Sequence, residues 1–250
     1  MRRALAALAG AFAYFTIVPM GRLASFAAPD AGALSALPIV GAVIGAAAGG
    51  IALAVAPLHG LWSAIAAWFA LVVLTGAIHI DGFLDSCDAL FASATPESRL
   101  EILHDPRHGT FAIVGMSVLT VTTLAALAAI APQRFPAILA FCAAAARLSV
   151  IPNAWLYPYA RAGAVTRAFA AKPNVWAFAA MCILTAVLAW IAKPVAIALI
   201  PAAVVVAAAV GWWMSRRLGG GLTGDSYGAL IAVNETLLVI AFVTVGALKT

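Results

Sequence analysis

Residues 34–57 read LSALPIVGAVIGAAAGGIALAVAP, an apolar run that contains no charged residue. About 20 apolar residues are enough for a helix to cross the ~30 Å hydrocarbon core of a bilayer, so this run predicts a membrane-spanning helix. Gly41, Gly45 and Gly49 recur within it at every fourth position. Small residues at that spacing lie on one face of a helix, where a neighbouring helix can approach closely. The stretch therefore predicts a helical membrane protein with tight helix packing.

The rest of the chain has the same character. Of its 250 residues, 65% are hydrophobic and only 9% are charged. A soluble domain carries about 25% charged residues, and a disordered chain is poor in apolar ones, so both classes are excluded. The candidate spans are 4–19, 34–57, 61–80, 110–131, 135–151, 175–192, 194–213 and 229–248. We expect an all-α, polytopic integral membrane protein with about seven or eight membrane helices, forming one domain over residues 1–250.

Two of these candidate spans have unusual features. The first is short and ends at Pro19, so we expect it to lie in the interface or to re-enter the bilayer instead of crossing it. The fifth contains Arg147, whose charge is costly in hydrocarbon. We therefore expect the Arg147 side chain to face the protein interior.

The longer polar segments are expected on one side of the membrane. They are 81–109, 152–174 and 214–228, and they follow the third, fifth and seventh candidate spans. This face would hold Arg22, Arg99, Arg107, Arg161, Arg167, Lys172, Arg216 and Arg217, against Arg2, Arg3, Arg134, Lys193 and Lys249 on the other. Because cytoplasmic loops carry the excess of Lys and Arg, we expect the polar face in the cytoplasm.

One polar segment concentrates the acidic residues. It begins HIDGFLDSCD, from His79 to Asp88, and on a helix Asp81, Asp85 and Asp88 lie on one face. Three like charges on adjacent turns repel one another unless a cation is bound, and hard oxygen ligands suit Mg²⁺ or Mn²⁺. The stripe therefore predicts a metal site, with a solvated helix end as the alternative. His79 is a general base, a ligand or an interfacial histidine.

The sequence after this stripe adds a short helix and a candidate phosphate ligand. Thr95-Pro96-Glu97 combines a capping hydroxyl, a proline and an acid, which is typical of a helix start, so we expect an interfacial helix near 95–105. Asp105 and Arg107 follow it directly. A guanidinium group can bind phosphate oxygens in bidentate fashion, which makes Arg107 a candidate phosphate contact.

Polar residues near the end of the chain form a further candidate group. Arg217 precedes the glycine run 219–221, whose backbone N–H groups can converge on an anion, although a glycine-rich turn is the simpler interpretation. Asp225 is a candidate additional metal ligand. Glu235 lies within an apolar span, where an acid is a functional candidate by default and a structural hydrogen bond is the alternative.

Together these residues resemble the cobalamin synthase family, the membrane-bound adenosylcobinamide-GDP ribazoletransferases. The matching elements occur in order along the chain: Phe15-Thr16 to Pro19, Pro38 to Gly41, His79 to Asp88, Arg99 to Ile102, Asp105 to Phe111, Arg147, Tyr157 to Arg161 and Gly220 to Gly228. His104 and His108 depart from the residues that the family usually has there. These departures affect substrate contacts more than the aspartate signature.

The resemblance implies phosphoryl transfer from adenosylcobinamide-GDP to α-ribazole or its 5′-phosphate, with GMP released and Mg²⁺ as cofactor. It implies His79, Asp81 and Asp85 as catalytic residues and Asp81, Asp85, Asp88 and Asp225 as metal ligands. The implied substrate-binding residues are Asp105, Arg107, Arg147, Arg161, Gly224, Glu235 and Arg217. The base is His79 or one of the aspartates.

The resemblance also implies partners and a location. We expect a multi-pass protein of the bacterial inner membrane, in contact with the lipid bilayer and not with nucleic acid, forming a homo-oligomer or associating with other late enzymes of cobalamin synthesis. Two alternatives remain open at this point. One is another Mg²⁺-dependent diphosphate-alcohol phosphotransferase of the membrane, and the other is a cation or corrinoid transporter.

Overall fold

The computed structural model describes residues 2–20, 31–57, 60–160 and 172–247. Within these ranges the chain is helical, with no β-strand and one isolated bridge between Tyr159 and Leu222. The α-helices are α1 (Arg2–Phe15), α2 (Ala31–Ala54), α3 (Gly60–Leu74), α4 (Ile78–Phe91), α5 (Pro96–Ile102), α6 (Thr110–Ala128), α7 (Phe135–Val150), α8 (Asn153–Leu156), α9 (Val175–Ala192), α10 (Leu199–Arg217) and α11 (Gly224–Ala247). Short 3₁₀ helices, Pro132–Arg134 and Pro194–Ala198, precede α7 and α10.

The expected polytopic membrane architecture is confirmed. Six helical segments of the described chain are long and apolar enough to cross a bilayer, and the count is seven if the bent pair α3 and α4 is taken as one span. The apolar part of α1, Leu5–Phe15, is shorter than a span, as the sequence suggested for this stretch. The short helix expected near 95–105 is α5, and the N-cap residue just before it, Thr95, accepts a hydrogen bond from the Ser98 backbone N–H at 3.4 Å.

The predicted span 61–80 does not form one continuous helix. The helix ends at Leu74, and the chain turns by 88° before α4 begins at Ile78. Gly76 and Ala77 both have φ of +59°, in the left-handed region that only glycine adopts without cost. This turn separates the apolar part of the stretch from the segment that carries the aspartates.

The glycine stripe of α2 packs against α7, as its spacing predicted. A Cβ atom at Gly45 would overlap the Leu139 carbonyl of α7, and one at Gly49 would lie 2.5 Å from Pro136. Side chains larger than hydrogen would therefore separate the two helices. All but two residues of α7 are buried, and this helix contacts α2, α9, α10 and α11, so it forms the centre of the bundle.

The last helix begins earlier than predicted. We expected a polar segment over 214–228 and a span from 229, whereas α10 continues to Arg217 and α11 starts at Gly224. One buried amide connects these helices to α7: Asn234 of α11 donates to the Ser149 hydroxyl of α7 at 2.8 Å and to the Ala203 carbonyl of α10 at 3.2 Å. The early start of α11 places Asp225 in its first turn.

Candidate active site

The first turns of α4 and α11 meet at a cavity of about 210 Å³. His79 and Asp81 line it from α4, and Asp225 lines it from α11. Aromatic residues complete the wall, namely Tyr14, Phe15, Tyr159 and Tyr227. The cavity therefore combines two carboxylates and an imidazole with aromatic surfaces.

Two glycines allow α4 and α11 to cross at this point. A Cβ atom at Gly82 would lie 2.8 Å from the Asp225 carbonyl oxygen and 2.9 Å from its Cα. On the other helix, a Cβ atom at Gly228 would lie 3.4 Å from the His79 Cα. The close crossing brings Asp81 and Asp225 to one cavity although the sequence separates them widely.

The chain before α11 is fixed by hydrogen bonds to the Pro158–Ala160 segment. The Ala160 N–H donates to the Leu222 carbonyl at 2.8 Å, and the Leu222 N–H donates to the Pro158 carbonyl at 3.0 Å. The Gly224 N–H donates to the Tyr159 hydroxyl at 3.2 Å. These contacts hold Gly224 and Tyr159 at the cavity wall. Tyr159 was missed as a site residue, although it lies inside the Tyr157–Arg161 element.

The three aspartates of α4 have different surroundings. Asp81 lines the cavity, whereas Asp85 lies 3.7 Å from the His108 Nδ1. Asp88 accepts hydrogen bonds from the backbone N–H groups of Gly109 and, at 3.0 Å, Ala112. Asp88 therefore caps the N-terminus of α6, whose N-cap residue, Gly109, has no side chain to do so.

The donor set allows a test of the expected magnesium site. In the described ranges no three His, Cys, Asp or Glu residues are grouped closely enough to hold a metal ion. Mg²⁺ is commonly bound by one or two carboxylates together with substrate phosphates, without an all-protein cage. Asp81 and Asp225, which line one cavity, fit that smaller set. The structure does not bring Asp85 or Asp88 into the lining of this cavity.

His79 lies between the 210 Å³ cavity and a smaller one of about 30 Å³ that Arg147 and Glu235 line. Its Nε2 is buried and has no hydrogen-bond partner among the described residues. Arg147 is 1% exposed and donates to Glu235 at 2.9 Å and to the Ala143 carbonyl at 2.9 Å. The expectation that Arg147 faces the interior is confirmed. Arg147 is buried and Glu235 is 14% exposed, and their ion pair lines the smaller cavity but not the larger one.

Of the other predicted substrate ligands, Asp105, Arg107 and Arg217 do not line this cavity. Arg107 is 86% exposed and bonds Asp105, with 2.9 Å from its Nε to Oδ1. The hydrogen bonds from Arg107 lower the pKa of Asp105 to about 2. Arg217 donates to the Leu90 carbonyl at 2.6 Å, so it caps the C-terminal end of α4. Arg161 lies outside the described residues.

Comparison with known proteins identifies the family of the chain. The family model for "Cobalamin-5-phosphate synthase" matches residues 7–243. The chain is similar to curated proteins named adenosylcobinamide-GDP ribazoletransferase. The one from Deinococcus radiodurans is 35% identical over 239 residues, covering 93% of this chain and 83% of the relative. The one from Geobacillus kaustophilus is 32% identical over 241 residues, covering 90% of each. No solved structure matches.

Proposed function

The chain belongs to the cobalamin-5-phosphate synthase family, and we propose that it performs phosphoryl transfer in the cavity that Asp81 and Asp225 line. Its activity is that of an adenosylcobinamide-GDP ribazoletransferase in cobalamin biosynthesis. The observation that carries the proposed site is the convergence of two carboxylates and the buried His79 on one cavity. All three residues come from the first turns of helices that cross closely.

The proposed reaction exchanges one phosphorus–oxygen bond for another. The 3′-hydroxyl oxygen of α-ribazole, or of its 5′-phosphate, attacks the phosphorus that is attached to the cobinamide side chain. The bond from that phosphorus to the oxygen bridging to GMP breaks, and GMP leaves with the electron pair. The hydroxyl proton passes to a base. Such a reaction needs in-line positioning and neutralisation of charge on the phosphoryl oxygens.

The residues of the cavity can meet these needs. We assign Asp81 and Asp225 as the carboxylates that hold Mg²⁺. When bound, the ion would neutralise charge on the diphosphate. Thr223 donates to one Asp225 oxygen at 3.3 Å, which helps to orient that carboxylate. We assign His79 as the base, because it lies in the cavity wall and its Nε2 has no hydrogen-bond partner within the described part of the chain.

Purified protein in nanodiscs tests the assignment of Asp81 and Asp225. Adenosylcobinamide-GDP, α-ribazole and Mg²⁺ are supplied, and GMP and the corrinoid product are measured with and without EDTA. We expect Asp81→Asn and Asp225→Asn to lower turnover by at least about 100-fold, since a charge clamp on a phosphoryl group contributes several kcal/mol. Glu101→Gln is the matched control, because Glu101 is exposed and outside the cavity lining. Near-normal turnover in either aspartate variant would contradict the assignment.

The apolar helices make the chain a multi-pass membrane protein. We further propose that it lies in the bacterial inner membrane with this site on the cytoplasmic side. The excess of Lys and Arg expected on that side supports the orientation. Labelling of a cysteine introduced at exposed Glu101, by a reagent that does not cross the membrane, tests it in inverted and right-side-out vesicles. Association with a second copy or with other enzymes of the pathway stays a prediction.

A further inference from the structure

A further cavity, of about 320 Å³ and called the second cavity below, shares the lining residue Tyr159 with the 210 Å³ cavity. One wall comes from α5, with Pro96, Glu97 and Leu100. The opposite walls are Pro158–Ala160 and the glycine-rich turn 218–221. Tyr159 lines both cavities, so one extended ligand could occupy the two together. The volume lies within the range of small-molecule sites, which is about 300–1,000 Å³.

The walls of this second cavity suit a flat ligand. Gly219 and Gly220 have φ of +80° and +102°, which favour glycine, so the turn presents bare backbone. A Cβ atom at Gly221 would lie 2.8 Å from the Pro158 carbonyl oxygen, so this position has no room for a side chain either. The bare peptide groups and the Tyr159 ring offer planar surfaces against which a heterocyclic base can stack, and the proline rings add apolar contact.

The carboxylate of this cavity, that of Glu97, matches the hydrogen-bond donors of only one of the two substrates' bases. Glu97 is exposed at the wall, and hydrogen bonds from its own backbone N–H and from Thr95 lower its pKa. It is therefore an ionised, acceptor-only group at neutral pH. Guanine carries N–H donors at N1 and at its 2-amino group on one edge, which match the two oxygens of a carboxylate. The benzimidazole of α-ribazole has no N–H donor to offer.

We propose that this second cavity binds the guanine base of the nucleotide leaving group, with Glu97 accepting its N1 and 2-amino hydrogens. The proposal rests on the proposed function, which places the diphosphate beside Asp81 and Asp225. From there the guanosine extends past Tyr159 into the second cavity. Glu97 is thus a specificity-determining residue that acts on the leaving nucleotide and not on the acceptor.

Product inhibition by simple nucleotides tests the proposal in nanodisc-embedded protein. AMP lacks both donors, so we expect GMP to inhibit the wild type at least about tenfold more strongly than AMP, with IMP between them. Glu97→Gln places an amide hydrogen against one guanine donor, so the preference for GMP should fall to about twofold or less. In this variant the KM for adenosylcobinamide-GDP should rise by about the factor by which the preference for GMP falls, and the KM for α-ribazole should not change. Glu101→Gln, on the same helix, should behave as wild type.

Three outcomes would overturn the proposal. An unchanged preference for GMP in Glu97→Gln would remove Glu97 from recognition. A raised KM for α-ribazole alone would place the acceptor's base in this cavity. Equal inhibition of the wild type by GMP and AMP would show that the guanine edge is not recognised. If the wild type forms no product, the proposed function fails instead, and equilibrium dialysis with labelled GMP still tests the cavity by itself.

Discussion

Removal of one charge from the Arg147–Glu235 pair should destabilise the protein strongly. Arg147 is 1% exposed, and its Nη1 lies 2.9 Å from the Glu235 Oε2. At that distance the attraction is about 6 kcal/mol with an effective dielectric constant of about 20. Breaking a buried pair from one side costs about 3–5 kcal/mol, because the remaining charge is left unpaired. Gln retains an acceptor at this position, so we expect Glu235→Gln to cost about 3 kcal/mol.

Thermal unfolding in nanodiscs measures this effect. For a chain of this size, about 3 kcal/mol corresponds to a decrease in Tm of about 6–12 °C. The double variant Arg147→Met with Glu235→Leu removes both charges, and a buried ion pair replaced by apolar residues is often neutral. The Met side chain also preserves packing on α2, since a Cβ atom at Gly41 would lie 2.8 Å from the Arg147 Cδ. We expect the double variant to unfold within about 2 °C of the wild type.

Two results would refute this reasoning. If Glu235→Gln unfolds at the wild-type temperature, Glu235 does not neutralise Arg147. If the double variant is as unstable as the single one, the cost arises from packing and not from an unpaired charge. Turnover of a stable double variant answers a separate question. Loss of activity would support the substrate-binding role that the family resemblance implies for both residues, and retention would assign them to stability alone.

The helix contacts provide two further predictions. Gly45→Leu should prevent recovery of folded protein, because the leucine side chain would overlap the α7 backbone. Gly50→Ala should behave as wild type, because no atom lies within 4 Å of the new Cβ. Size-exclusion chromatography in detergent separates the two outcomes, and a folded Gly45→Leu would contradict the close crossing of α2 and α7. Asp88→Ala removes the cap of α6 and should lower the free energy of unfolding by about 1–2 kcal/mol while the EDTA sensitivity of turnover persists. Loss of metal dependence in a folded Asp88→Ala would instead make Asp88 a metal ligand.

Much of the fold could be predicted because its signals are local. Apolar runs long enough to span, and glycines at every fourth position, depend on composition and helical period alone. The turn after Leu74 was missed because an apolar run does not reveal a change of direction; Thr75-Gly76 was the one local signal. The early start of α11 was missed because its first turn is polar, and burial against α4 by Gly82 and Gly228 stabilises it.

The candidate site could be predicted only in part, since partners of polar groups are set by tertiary structure. The convergence of Asp81 with Asp225 was anticipated as a shared metal site. The positions of Arg107 and Arg217, outside the cavity lining, were not anticipated. An arginine near a glycine-rich turn has the residue types of a phosphate site, but Arg217 instead bonds a carbonyl at the end of α4. Sequence spacing does not distinguish an arginine that binds a ligand from one that caps a helix.

The acidic stripe on α4 shows why like charges at helical spacing do not require a shared cation. The repulsion among Asp81, Asp85 and Asp88 is real, yet each carboxylate has a different neighbour. Asp88 accepts two N–H groups at the start of α6, where the positive end of the helix dipole also favours a negative charge. Asp85 faces His108 at 3.7 Å. Only Asp81 remains at the cavity, and its natural companion is Asp225 on another helix. The metal that we propose is therefore explained by the crossing of α4 and α11, and the stripe alone would not have required it.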